Sequence, residues 1–221
     1  MTAPGLVIFD CDGVLIDSEP VVNRVVAAEL TTLGWPMTAD ECCTRFLGLD
    51  LDAMVPLIEK AIGRPLPPGW NAALIARIIA VLKQEAPMVP GAREALAATT
   101  ALGLPWRVAS NSSHAELAAK FDRNGLLPLV AGRLHSFTDV PRGKPAPDLF
   151  LAAAAAEGVS PSACIVVEDS VPGARAARAA GMRCFGLCRN GEADGLIAEG
   201  AQVVRSLSEF PALLRSAVAA A

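Results

Sequence analysis

Hydrophobic positions divide the chain into an apolar strand, a long helical block, and a region where short strands and helices alternate. Leu6-Val7-Ile8-Phe9 is an unbroken apolar run that ends in Asp10-Cys11-Asp12-Gly13. So short a run, closed by a turn signal, predicts a strand buried on both faces. From Val21 the period changes. Val21, Val22, Val25, Val26, Leu30 and Leu33 recur at helical intervals, with Gly34 as the stop. Asp17-Ser18-Glu19-Pro20 reads as the start of this helix, with Ser18 as its cap and Pro20 in the first turn. Helical spacing continues over 39–46, 52–62 and 70–83, broken by Gly48, Gly63, Pro65, Pro67, Pro68 and Gly69.

Beyond Pro87 the pattern alternates. Helices are predicted over 92–102, 114–124, 149–157, 171–180 and 208–219. Short strands are predicted over 106–109, 134–137, 163–167, 184–187 and 203–204. Such alternation implies an α/β fold: a parallel sheet with right-handed crossovers. The helical block separates the first strand from its partners, so residues 17–86 are expected to form an inserted domain. Residues 1–16 and 87–221 form the core.

Bulk properties narrow the function. A chain of 221 residues has room for one large domain, or a core with a smaller one. Its net charge of −4 argues against a nucleic-acid partner. No apolar run approaches the ~18 residues of a membrane span. The opening Met1-Thr2-Ala3-Pro4-Gly5 has no basic region, which argues against a signal peptide and for a cytoplasmic protein. The six cysteines, Cys11, Cys42, Cys43, Cys164, Cys184 and Cys188, lack paired metal-ligand spacing and read as reduced thiols. Two histidines, His114 and His135, are too few for a histidine-rich metal site.

Chemistry is expected at the strand ends. Asp10 and Asp12 stand two apart, so both project to one side, at the carboxyl end where open α/β sheets hold their ligands. Two carboxylates so close repel and invite a cation that prefers oxygen, such as magnesium. The plain alternative is an Asp-Gly bend. Ser110, Lys144 and Glu168-Asp169 also stand at or just after strands. Singly, each has an ordinary role: helix cap, solvated lysine, charge at a helix start. In a parallel sheet, however, these ends gather along one edge.

Asp10-x-Asp12-Gly13-Val14, Ser110, Gly143-Lys144-Pro145 and Glu168-Asp169 together resemble the four motifs of the haloacid dehalogenase superfamily. Phe9 to Glu19, Gly143 to Asp148 and Val167 to Ser170 resemble its beta-phosphoglucomutase-like phosphatase branch. The resemblance implies a Rossmann-like parallel sheet with an all-helical cap. It implies that Asp10 is the nucleophile, forming an aspartyl-phosphate, and that Asp12 is the acid and base. It implies Mg2+ on the Asp10 carboxylate, the Asp12 carbonyl and Asp169, with Glu168 close by. Ser110, the Asn111 amide and Lys144 would hold the phosphoryl oxygens. In this scheme Asp10 stays ionised beside magnesium while Asp12 carries a proton, so their environments must differ.

Within that family, Asp12 argues against dehalogenation, which does without it. The loop Phe46-Leu47-Gly48-Leu49-Asp50-Leu51 lacks the lysine of a phosphonatase. Val22 and Leu51 stand where the sugar-phosphate mutases carry a histidine and an arginine, which favours hydrolysis over the mutase alternative. Gly48, Leu49, Asp50 and Leu51 are expected to face the substrate, with hinges near 15–18 and 86–89. The expected partner is a small phosphorylated metabolite, and the expected state a monomer. A phospho-acceptor signalling domain has similar ingredients in another order. A non-catalytic binding protein would not need every catalytic position filled.

Overall fold

The structure is a computed structural model that describes residues 3–46, 49 and 51–220. The first strand, β1 (Leu6–Phe9), is followed by four helices: α1 (Glu19–Thr32), α2 (Ala39–Phe46), α3 (Leu51–Ile62) and α4 (Trp70–Glu85). After α5 (Ala92–Ala101) the chain alternates through β2 (Trp106–Ser110), α6 (His114–Arg123), α7 (Leu127–Val130) and β3 (Leu134–Ser136). It continues with α8 (Asp148–Ala156), β4 (Cys164–Glu168), α9 (Val171–Ala179) and β5 (Arg183–Leu187). The last elements are α10 (Asp194–Ala198), β6 (Gln202–Val204) and α11 (Phe210–Ala219). The predicted strands and longer helices are present with ends shifted by at most two residues. The short α7 and α10 have too few turns to leave a periodic signal.

All six strands are parallel, in the order β3-β2-β1-β4-β5-β6. Successive side chains of a strand point to opposite faces, and the first strand shows it. Val7 and Phe9 join one apolar cluster with α5 and α11, whereas Leu6 and Ile8 join another with α8 and α9. Burial on both faces is why the strand reads as continuous apolar sequence. The chain leaves β1 toward β2 on one side and returns to β4 on the other. The carboxyl ends of β1 and β4 therefore flank the point where strand order reverses, and there a crevice opens.

The helical block α1–α4 contains no strand among its described residues. Its two connections to the core run side by side: Asp17 N–H donates to Pro87 O, and Val89 N–H to Leu15 O. Both connections lie within residues 15–18 and 86–89. The block nevertheless shares one continuous apolar cluster with the sheet, through Leu15, Ile16, Leu82, Ala86 and Val89, and α4 packs against α6. No described helix is long and apolar enough to cross a membrane.

Candidate active site

Strand register brings the first acidic residue to the late pair. Phe9 is level with Val167 on β4 and with Val108 on β2, so Asp10 emerges beside Glu168 and Ala109, one residue before Ser110. Asp10 N–H also donates to Val167 O, extending the ladder by one residue. The carboxylates of Asp10, Glu168 and Asp169 place one oxygen each within 4.8 Å of one another. Lys144 reaches in from the loop before α8. Its Nζ donates to Asp10 Oδ1 at 2.5 Å, Glu168 Oε1 at 2.6 Å and Ala109 O at 2.9 Å. It is buried, not the solvated lysine of the plain reading. Asn111 fixes that loop: its side chain accepts from Lys144 N–H and donates to Lys144 O.

The acidic residues are not equivalent. Glu168 Oε2 accepts from the Ser170 backbone and hydroxyl, and Ser170 in turn caps α9. With Oε1 on Lys144, both Glu168 oxygens are committed. Asp169 has no hydrogen-bond partner among the described residues. Burial and the nearby charges of Glu168, Asp10 and Glu19 push its carboxyl well above the usual range, against the opposing pull of Lys144. Asp10 is pushed to about 7 by burial and by Glu168 and Asp12, with Lys144 again opposing. Three carboxylates thus face one ammonium. An all-oxygen donor set with unbalanced negative charge fits a hard divalent cation such as magnesium. Asp10 and Asp169 offer free ligand oxygens, and Glu168 orients Lys144.

Gly13 gives this arrangement its closeness. Its φ of +72° lies in the left-handed region, and a Cβ there would fall 1.7 Å from Asp169 Oδ2. Gly13→Ala is therefore expected to displace Asp169 and weaken both magnesium affinity and turnover by about 10–100-fold. Calorimetric titration with magnesium checks it; unchanged affinity would separate Asp169 from the cation.

Asp12 lies on the same side but belongs to a second set of partners. Lys120 Nζ donates to Asp12 Oδ1 at 2.6 Å and to Ser112 Oγ at 2.7 Å, and Ser112 Oγ donates to Asp12 Oδ2 at 2.8 Å. Ser110 Oγ reaches Asp12 Oδ2 at 3.3 Å. Ser18 also donates to Asp12 Oδ1. The expected helix cap is absent: α1 has no side-chain cap bond, because Ser18 has helical rather than extended dihedrals and does not aim its oxygen at the first-turn N–H groups. The cap of α6 is Ser113, which leaves Ser110 turned into the site.

These contacts give Asp12 surroundings different from those of Asp10. Burial raises the Asp12 carboxyl, but the Lys120 charge and the bonds from Lys120, Ser18 and Ser112 hold it below the usual range. Lys120, Ser112 and Ser18 were absent from the sequence-based site. One signal for Lys120 was legible: it falls three residues after Leu117 and one before Phe121, on the buried stripe of α6. A lysine on an apolar face implies a buried partner.

Two cavities meet at Asp12. The larger, about 460 Å³, holds Asp10, Ser110, Asn111, Lys144, Glu168 and Asp169. The smaller, about 280 Å³, runs between α1 and α6, and Asp12, Glu19 and Leu49 line both. Of the loop residues expected at the substrate, Leu49 is in place. Leu51 is not among the lining residues of either cavity; it opens α3 and packs on the apolar cluster, since helix formation turns it inward. Gly48 and Asp50 lie outside the described residues.

A family model for haloacid dehalogenase-like hydrolases matches residues 4–181. The chain is 35% identical over 181 residues to hexitol phosphatase B of Escherichia coli, covering 80% of each chain. It is 29% identical over 211 residues to the 6-phosphogluconate phosphatase of the same organism, covering 95% of this chain and 94% of the relative. A conserved haloacid dehalogenase-like protein of unknown function from Agrobacterium tumefaciens superposes with a TM-score of 0.83 at 35% identity. That match covers 97% of this chain and 99% of the other.

Proposed function

The chain belongs to the haloacid dehalogenase-like hydrolases, and on that premise we propose that it is a magnesium-dependent phosphatase of small sugar or polyol phosphates, working through an aspartyl-phosphate. The convergence of Asp10, Asp169, Glu168 and Lys144 in one crevice carries this reading. The two Escherichia coli relatives support the substrate class, since each is named for a phosphorylated six-carbon chain.

Asp10 attacks phosphorus as the bond to the leaving oxygen breaks, and Asp12 gives that oxygen a proton. Asp12 is suited to the task by place, because it stands where the two cavities meet. The arriving phosphate brings negative charge beside Asp12 and so favours its protonated form. Water then attacks the aspartyl-phosphate, Asp12 takes back the proton, and phosphate leaves with Asp10 restored. Lys144, Ser110 and the Asn111 amide hold the phosphoryl oxygens as charge spreads over them. Asp10 and Asp169, together with the Asp12 carbonyl, would hold a magnesium ion, whose charge would polarise those oxygens and favour the ionised nucleophile.

Turnover of p-nitrophenyl phosphate should require magnesium and vanish with a chelator; full activity without a divalent cation would refute the reading. Protons compete with the cation for Asp10, at about 7, and for Asp169, which is raised as well. Magnesium should therefore raise the melting temperature more at pH 8 than at pH 5, and calorimetric scans at both values test it. Val22 presents an apolar side chain to the smaller cavity. Sugar-phosphate isomerisation primed by glucose 1,6-bisphosphate is accordingly expected to be absent, and its appearance would restore the mutase alternative.

A further inference from the structure

We infer that the leaving group of the substrate is a neutral, hydroxyl-bearing chain, and that the enzyme discriminates against chains ending in a second anion. This rests on the phosphatase reading and concerns the smaller cavity alone. One wall of that cavity is α1, whose residues 19, 22 and 23 follow the i, i+3, i+4 spacing of one helix face. They present Glu19, Val22 and Asn23. The opposite wall is α6, where positions 116 and 120 are one helical turn apart and bring Glu116 and Lys120 inward. Phe46 supplies a buried apolar surface.

The charges in this chamber decide its ligand. Lys120 is its one cation among the described lining residues, and its ammonium already bonds Asp12 and Ser112. Glu19 and Asn23 have no side-chain hydrogen-bond partner among the described residues, and Glu116 commits one oxygen, Oε2, to the Ser113 cap. The unpaired capacity is therefore mostly acceptor oxygen, with one amide. Hydroxyl groups donate to such oxygens, and Val22 and Phe46 suit the C–H faces between them. A carboxylate or second phosphate would meet Glu19 and Glu116 with no free cation to neutralise it, and like charges brought together in a confined site are penalised. Specificity here comes from repulsion as much as from attraction.

Two esters with the same six-carbon chain test this. D-Glucitol 6-phosphate ends in a hydroxymethyl group and D-gluconate 6-phosphate in a carboxylate; p-nitrophenyl phosphate serves as the reference. With magnesium at pH 8, kcat/KM for the glucitol ester is expected to exceed that for the gluconate ester by at least about tenfold. The ratio should shrink as salt screens the repulsion. Val22→Lys, which brings a free cation to the α1 wall, should move the ratio at least about tenfold toward the gluconate ester. Glu19→Gln, a gentler change, should move it the same way. Hydrolysis of p-nitrophenyl phosphate without the glucitol preference overturns this inference and leaves the phosphatase standing. Failure on all three esters overturns the phosphatase reading and this one with it. A ratio unmoved by Glu19→Gln removes the electrostatic origin proposed here.

Discussion

Replacing Asp10 by asparagine is expected to lower phosphatase turnover by about 10⁴–10⁶-fold, the range for loss of a nucleophile, while the protein stays folded. Asparagine has the size of aspartate but cannot form the acyl-phosphate. The neighbourhood tolerates the change, because Lys144 keeps Glu168 and the Ala109 carbonyl as partners. The variant should also separate activity from stability in a pH-dependent way. Asp10 is buried, with its carboxyl raised from 3.8 to about 7. A carboxyl whose folded-state value is raised is more easily ionised unfolded, so its charge destabilises the fold increasingly as pH rises from about 4 to 7. Without added cation, Asp10→Asn should thus match the parent near pH 4 and exceed it at pH 8 in denaturant titrations. Turnover near the parent's would remove Asp10 from the chemistry.

The second large effect is expected at Lys144. Its ammonium is almost wholly buried against Asp10 and Glu168, and it lies 4.8 Å above the Phe150 ring. Burial alone would lower its pKa, but the two carboxylates more than reverse this and raise it. Lys144→Met keeps the length of the side chain and removes the charge. Two buried carboxylates are then left without their counter-charge, a loss of about 3–5 kcal/mol when one partner of a buried pair is removed. Turnover should fall about 10²–10³-fold, as when one donor to the transition state is lost. Magnesium should recover part of the stability at pH 8 but not the turnover, since a cation offsets charge without replacing the donor. Equilibrium unfolding and steady-state kinetics, each with and without magnesium, measure the two effects. Restoration of both by magnesium alone would make Lys144 a purely electrostatic residue.

Much of the fold was readable along the chain. Leu6–Phe9 declares a buried strand because a strand covered on both faces has no polar side to interrupt it. The α1–α4 block declares helices because its apolar residues recur with the helical period. The ends were less legible. Ser18 has the sequence context of a helix cap, yet its backbone is helical rather than extended, and its hydroxyl bonds Asp12 without capping α1. Leu51 looked like a loop residue at the substrate and instead opens α3, turned toward the core.

What the sequence determined by itself is the inventory: a parallel α/β core, an inserted helical block, and acidic, hydroxyl and lysine groups placed just after strands. Those follow from periodicity and from the edge at which parallel strands all finish. Only the tertiary structure decided which group serves which. Lys144 binds Asp10 and Glu168 and Lys120 binds Asp12, so each aspartate has its own ammonium partner. The reason is the range of the forces involved. Periodic burial is written locally, whereas a buried carboxylate's affinity for a proton depends on charges a few ångströms away in space. For Asp12 that charge lies 108 residues along the chain.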